Sequence, residues 1–147
     1  MSVLAAERIQ LGATAVDKND AIRQVGALLV NSGCVETGYI EGMLAREETM
    51  STYLGEGVAI PHGTYDNRDQ IRQTGIAVLQ LPQGVVWEDE DVAYLVIGIA
   101  ATGDEHVGVL ANLAEAIEDE EITAQLIQTT DLNFILTHLG APAPAEA

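Results

Sequence analysis

Three histidines occur in the chain, His62, His106 and His138, each in a different local setting. His62 lies in Ile60-Pro61-His62-Gly63, where an apolar run meets a turn. The proline stiffens the approach, and the glycine lets the backbone of another molecule come close. A neutral imidazole there is a competent nucleophile, because its ordinary pKa of about 6.5 leaves most of it unprotonated near neutral pH. His106 falls in the first turn of a helix opened by Gly103-Asp104, where free N–H groups and the helix dipole favour an anion. His138 stands near the end of the last expected helix, a place that the dipole alone explains. Arg46, beside Glu47 and Glu48, reads most simply as a surface ion-pair partner. On residue type alone these signals are weak, and structural histidines with a surface arginine are the simpler reading.

Other chemistries find no support. No Gly-x-Ser-x-Gly elbow is present. No Gly-x-x-x-x-Gly-Lys-Ser/Thr loop occurs, and Lys18 is the sole lysine, so ATP is not expected as a direct donor. Neither His-Glu-x-x-His nor Cys-x-x-Cys spacing appears, so no metal and no cofactor is expected. The acidic runs Glu88 to Asp91 and Glu118 to Glu121 read as solvated segments. With 23 acidic against 6 basic residues and a net charge of -17, the surface repels nucleic acid and anionic lipid. The same acidity suggests a halophilic host, since at about 1 M salt the Debye length falls to roughly 3 Å and self-repulsion is screened. Cys34 stands alone, which excludes an intrachain disulfide and suits a small buried hydrophobe in a reducing compartment. No basic amino-terminal segment leads into an apolar run, and the longest apolar stretch, Val92 to Ala101, is about half a membrane span. The expectation is a cytoplasmic protein without membrane insertion.

The elements that position these residues follow from periodicity. Asp17 reads as an N-cap, followed by Ala21, Ile22, Val25, Leu28 and Leu29 at helical spacing until Asn31-Ser32-Gly33. A second helix begins after Thr37, with Ile40, Met43 and Leu44 inward, and ends near Glu48. Val58-Ala59-Ile60 reads as a short strand into a turn, and Ile76 to Leu81 as a strand closed by Pro82-Gln83-Gly84. Val92 to Ala100 is apolar throughout, the pattern of a central strand covered on both faces. A helix from Gly103 carries Val107, Leu110, Leu113, Ala114 and Ile117, and two short helices follow at Ile122 to Gln128 and Asp131 to Leu139. Glu56 sits among glycines and reads as a solvated turn residue. The expected architecture is an α/β sandwich over residues 1–140, a single mixed sheet flanked by helices on both sides, with strand order and direction left open. Residues 141–147 (Ala-Pro-Ala-Pro-Ala-Glu-Ala) read as a disordered tail.

The segment from Thr52 to Thr64 strongly resembles the fructose/mannitol family of phosphotransferase-system enzyme IIA domains. That family places an acidic or amide residue seven positions before a Leu-Gly pair, then apolar-Ala-apolar-Pro-His-small. Glu47, Leu54-Gly55 and Val58-Ala59-Ile60-Pro61-His62-Gly63 fill those slots. Met43-Leu-Ala-Arg46-Glu47 resembles the family's arginine segment, and Leu95 to His106 its second-histidine segment. The Pro-His-Gly-Thr and Tyr-Leu-Gly-Glu versions are closest to the mannitol branch, although the loop from Gly84 to Val92 is shorter than is usual there. The resemblance implies that His62 accepts a phosphoryl group from HPr through Nε2 and passes it to a cysteine of a IIB domain for fructose or mannitol uptake. It implies that Arg46 and His106 hold the phosphoryl oxygens. A regulatory nitrogen-related paralogue, docking on other proteins, is the alternative within the family, and a ligand-binding module without phosphotransfer lies outside it.

Overall fold

The computed structural model describes residues 4–101 and 103–139, the side chains of Tyr65 and of residues 103–106 excepted. The tail from Ala141 falls outside that range. Five strands form one mixed sheet: β1 (Ile9–Gln10), β2 (Tyr53–Gly55), β3 (Val58–Ala59), β4 (Gly75–Glu88) and β5 (Asp91–Ala100), in the order β1-β4-β5-β3-β2. β5 is the middle strand, covered on both faces as its unbroken apolar run requires, and it lies antiparallel to β4 and parallel to β3.

Helices cover both faces. On one side lie α1 (Lys18–Asn31) and α2 (Tyr39–Thr49); on the other lie α3 (Gly103–Glu118), α4 (Glu120–Gln128) and α5 (Leu132–Leu139). The alternation along the strands sorts side chains between two cores. Leu79 and Val96 meet Ile22, Val25 and Met43, whereas Val78 and Ile97 meet Leu113 and Leu126. Gly98 lets α1 come close: a Cβ there would stand 3.1 Å from Val25. Asp17 caps α1 as expected, its carboxylate accepting from the Asp20 N–H at 2.8 Å. Cys34 is fully buried.

β4 departs from the sequence reading. Pro82-Gln83-Gly84 does not close it; the strand runs on to Glu88. Leu81–Gly84 stands opposite Tyr94 alone, a bulge that absorbs the proline and uses the positive φ of Gly84 (77°). The acidic run Glu88 to Asp91 is therefore a tight hairpin turn rather than a loop, with Asp89 in the left-handed region and Glu88 paired to Asp91. β1 and β2, too short to show a period, were not expected from sequence. Buried Gln80 ties the edge together, accepting from Gly12 N–H and donating to the Leu126 and Thr129 carbonyls.

With Ile97 fully buried in the middle strand, Ile97→Ala should lower unfolding stability by about 2–5 kcal/mol. Val86→Ala, at a position 61% exposed, should change it by less than about 0.5 kcal/mol. Urea titrations of the two variants check the contrast.

Candidate functional site

The carboxyl ends of β3 and β5 carry the site. Beyond β3 the chain continues as Pro61-His62 alongside β5, with Ile99 N–H donating to the Pro61 carbonyl at 3.0 Å and His62 bridging Ile99 in parallel register. His62 is half-buried, and its Nδ1 lies 2.9 Å from the Gly63 carbonyl oxygen. A carbonyl only accepts, so Nδ1 carries the proton in that contact, and of the two neutral tautomers the contact selects the one with its lone pair on Nε2. In its neutral form the imidazole is thereby held with Nε2 as the nitrogen that carries the lone pair.

Tyr39, the first residue of α2, locks this turn in place. Its buried hydroxyl donates to the Ile99 carbonyl at 2.8 Å and accepts from Gly63 N–H at 2.9 Å. Burial raises its pKa above the ordinary 10.0, an effect partly offset by the Gly63 N–H, so the group stays an O–H donor at physiological pH. Gly63 is required there, because a Cβ would fall 2.7 Å from the Tyr39 ring.

One stripe of α2 faces the His62 turn. Tyr39, Gly42 and Arg46 are spaced three and four apart and share a face. Gly42 packs against Asn67, just past the turn, where a Cβ would meet the amide at 2.3 Å. Arg46, one turn further along, is half-buried and donates from Nη1 to the Met50 carbonyl at 2.6 Å. That bond holds the guanidinium at the carboxyl end of α2 and engages one of its five donors. The surface ion pair with Glu47 or Glu48 that residue type alone allowed does not form.

Glu47 is instead buried, 4% exposed, with no cation paired to it among the described residues. One carboxylate oxygen accepts from Thr52 N–H at 3.0 Å and from the Trp87 indole N–H at 2.9 Å; the other accepts from the Thr52 hydroxyl. The Thr52 carbonyl in turn accepts from Ile60 N–H at 3.0 Å, two residues before His62. The carboxylate thus fastens the end of α2, the lead-in to His62 and the β4 end of the sheet. Sequence reasoning placed Glu47 in a pattern slot but gave it no partner, and it missed Tyr39 and Trp87; only the apolar company of Tyr39 on α2 signalled its burial.

α3 starts at Gly103, four residues after Ile99, so its amino terminus lies within about 14 Å of the strand end that holds His62. His106 lies in the first turn of α3, and its side chain falls outside the described residues. Glu56 is an exposed turn residue with φ 55°. His138 packs against Phe134 one turn earlier, ring centroids 4.3 Å apart and planes tilted by 52°, remote in sequence from the site. Among the described residues no group of three or more potential metal ligands gathers, and no helix is long and apolar enough to cross a membrane.

Comparison with known proteins gives one answer. The profile of the family described as phosphoenolpyruvate-dependent sugar phosphotransferase system, EIIA 2, matches residues 2–140. The multiphosphoryl transfer protein of Escherichia coli O157:H7 is 52% identical over 130 residues, 88% of this chain and 35% of that protein. The mannitol-specific EIICBA component of Escherichia coli K12 is 44% identical over 139 residues, 93% of this chain and 22% of that protein. The chain thus spans about a third or less of the length of these curated relatives. Among solved structures, the complex of enzyme IIA mannitol with phosphorylated enzyme IIB mannitol from Escherichia coli superposes with a TM-score of 0.87 at 44% identity, covering 92% of this chain and 95% of that one.

The Glu47 contacts make a sharp prediction. Glu47→Gln should be tolerated within about 1 kcal/mol, because an amide oxygen still accepts both N–H donors while its NH2 faces the Thr52 hydroxyl. Glu47→Ala leaves both donors buried without a partner and should cost about 2–4 kcal/mol. Denaturation followed by Trp87 fluorescence distinguishes the two.

Proposed function

The chain belongs to the EIIA 2 family of the phosphoenolpyruvate-dependent sugar phosphotransferase system, and from that premise we propose that it is a cytoplasmic phosphocarrier with His62 as the phosphoryl acceptor. The observation that carries the proposal is the Nδ1 contact with the Gly63 carbonyl, which favours the neutral tautomer whose lone pair is on Nε2. Nε2 attacks the phosphorus of the phosphohistidine of HPr. A new N–P bond forms as the donor's N–P bond breaks, and the donor imidazole recovers its electron pair. His62 now carries phosphoryl on Nε2 and keeps its Nδ1 proton on Gly63. In the second step a cysteine thiolate of a IIB domain attacks the same phosphorus, an S–P bond forms, and His62 returns to the neutral imidazole.

The transition state is loose and its charge lies on the equatorial oxygens, so positioning and positive potential supply most of the catalysis. Arg46 presents its remaining donors to those oxygens. His106 acts with the amino terminus of α3 on the same group. IIB as acceptor is supported by the similarity to a IIA domain in complex with phosphorylated IIB. The mannitol-type relatives favour mannitol or fructose uptake as the process served.

Incubation with phosphoenolpyruvate, enzyme I and HPr should add the mass of one acid-labile phosphoryl group, read by intact-mass spectrometry. His62→Ala should take up none. Arg46→Ala and His106→Ala should slow uptake about tenfold or more while still forming the adduct. Full labelling of His62→Ala would remove the central assignment, and complete loss in all three folded variants would overturn the division of roles.

A further inference from the structure

The peptide joining Gly63 to Thr64 is used from both ends. Its carbonyl contacts His62 Nδ1 at 2.9 Å, and its N–H donates to Asn67 Oδ1 at 2.7 Å. An N–H only donates, so the Asn67 oxygen must face it, which settles the orientation of that amide. The same oxygen accepts from the Thr64 hydroxyl at 3.0 Å, and the Thr64 side chain accepts from the Asn67 backbone N–H at the start of the 3-10 turn Tyr65–Gln70. Glycines make room for the Asn67 side chain on two sides: a Cβ on Gly42 or Gly63 would stand 2.3 or 2.9 Å from its Oδ1. Neither residue type nor spacing marks Asn67 as part of the chemistry; the juxtaposition appears only in the fold.

We propose that Asn67 is a positioning residue for His62, acting through the Gly63–Thr64 peptide to hold the imidazole as the Nδ1–H tautomer with its lone pair on Nε2. The proposal rests on the reading of His62 as phosphoryl acceptor. An amide whose N–H is engaged becomes a better acceptor at its carbonyl, because hydrogen bonds in a chain polarise one another. The better acceptor favours the ring form that donates from Nδ1, as second-sphere carbonyls and carboxylates do for metal-bound histidines. Asn67 also fixes the plane of the peptide, and so the direction in which the ring points. Tyr39 performs the companion task on the preceding peptide by engaging the Gly63 N–H. Gly63 is thus held at both of its flanking peptides, by α2 on one side and by the 3-10 turn on the other.

The test is a long-range proton–nitrogen NMR spectrum of the His62 ring, recorded in the full chain for wild type, Asn67→Ala and Asn67→Asp. Wild type should show the Nδ1–H tautomer. Asn67→Ala should move toward the mixture seen for free imidazole and accept phosphoryl from phospho-HPr roughly fivefold more slowly, the effect of losing about one hydrogen bond. Asn67→Asp keeps an acceptor oxygen for Thr64 N–H and should restore the wild-type tautomer. An unchanged tautomer and unchanged uptake in Asn67→Ala would overturn the proposal, as would a wild-type ring protonated on Nε2. If Asn67→Ala does not fold, Asn67→Ser, with a shorter acceptor, carries the comparison. Because the tautomer is read without any phosphoryl donor, a wild-type protein that takes up no phosphoryl would sink the carrier reading and leave this inference separately decided.

Discussion

The site depends on the last turns of one strand, where both backbone groups of Ile99 are given to it. Ile99 N–H binds the Pro61 carbonyl, and the Ile99 carbonyl takes the Tyr39 hydroxyl. In an antiparallel pair the N–H and C=O of one residue point the same way, and opposite residues alternate between bonded and unbonded pairs. Ile99 is opposite Ile76 on β4, yet its polar groups face the β3 side, so it stands at an unbonded position of the β4–β5 ladder. The register of that hairpin therefore decides whether Pro61-His62 has an edge to pair with. A slip of one residue would turn the two Ile99 groups toward β4 and leave the His62 turn without its anchor. The buried strand serves the chemistry by fixing register, and the two cores on its faces serve it by preventing the slip.

Around that anchor, short polar contacts convert helix position into side-chain position. α2 reaches the site through Tyr39 at its start and through Arg46 and Glu47 at its end. Glu47 is notable because its partners are neutral donors rather than a cation. What the place demands is an oxygen facing two N–H groups, which an amide provides as well as a carboxylate does. That demand gives a physical reason why the family pattern accepts an acid or an amide in this slot. It also explains why Glu47 does not pair with the neighbouring Arg46: its carboxylate is turned inward to Thr52 and Trp87.

Much of this was legible in the sequence where periodicity or length gave a signal. α1 with its Asp17 cap, the doubly covered β5, the apolar stripe of α3 and the turn at His62 follow from spacing alone, and the Pro-His-Gly context brought the family resemblance with it. Elsewhere the signal failed for identifiable reasons. β1 and β2 are two and three residues long, below any period. Pro82 and Gly84 read as a stop because both usually are, whereas a bulge at an edge tolerates them. Glu47 and Trp87 are forty residues apart, and Tyr39 and Ile99 sixty, so no local pattern joins them. Long-range hydrogen bonds between ordinary residues are invisible until register is known.

A carrier faces a constraint that an ordinary catalyst does not: its covalent adduct must form and then leave. Interactions that hold the phosphoryl group in the resting adduct as strongly as in transfer would slow the second step, so stabilisation should be concentrated on the transferring state. The geometry fits that demand. The described groups bonded to the His62 turn are backbone amides and the neutral Tyr39, which fix the ring and, on the proposed role of His62, add no charge of their own. Arg46 is restrained by Met50 but retains further donors. With a net charge of -17, the chain as a whole repels a phosphorylated partner, yet exposed charges farther than about 8 Å away are screened at physiological salt. On the proposed function, encounter and transfer then depend on the few groups at the end of β5, which leaves the acidity of the rest of the surface free to vary.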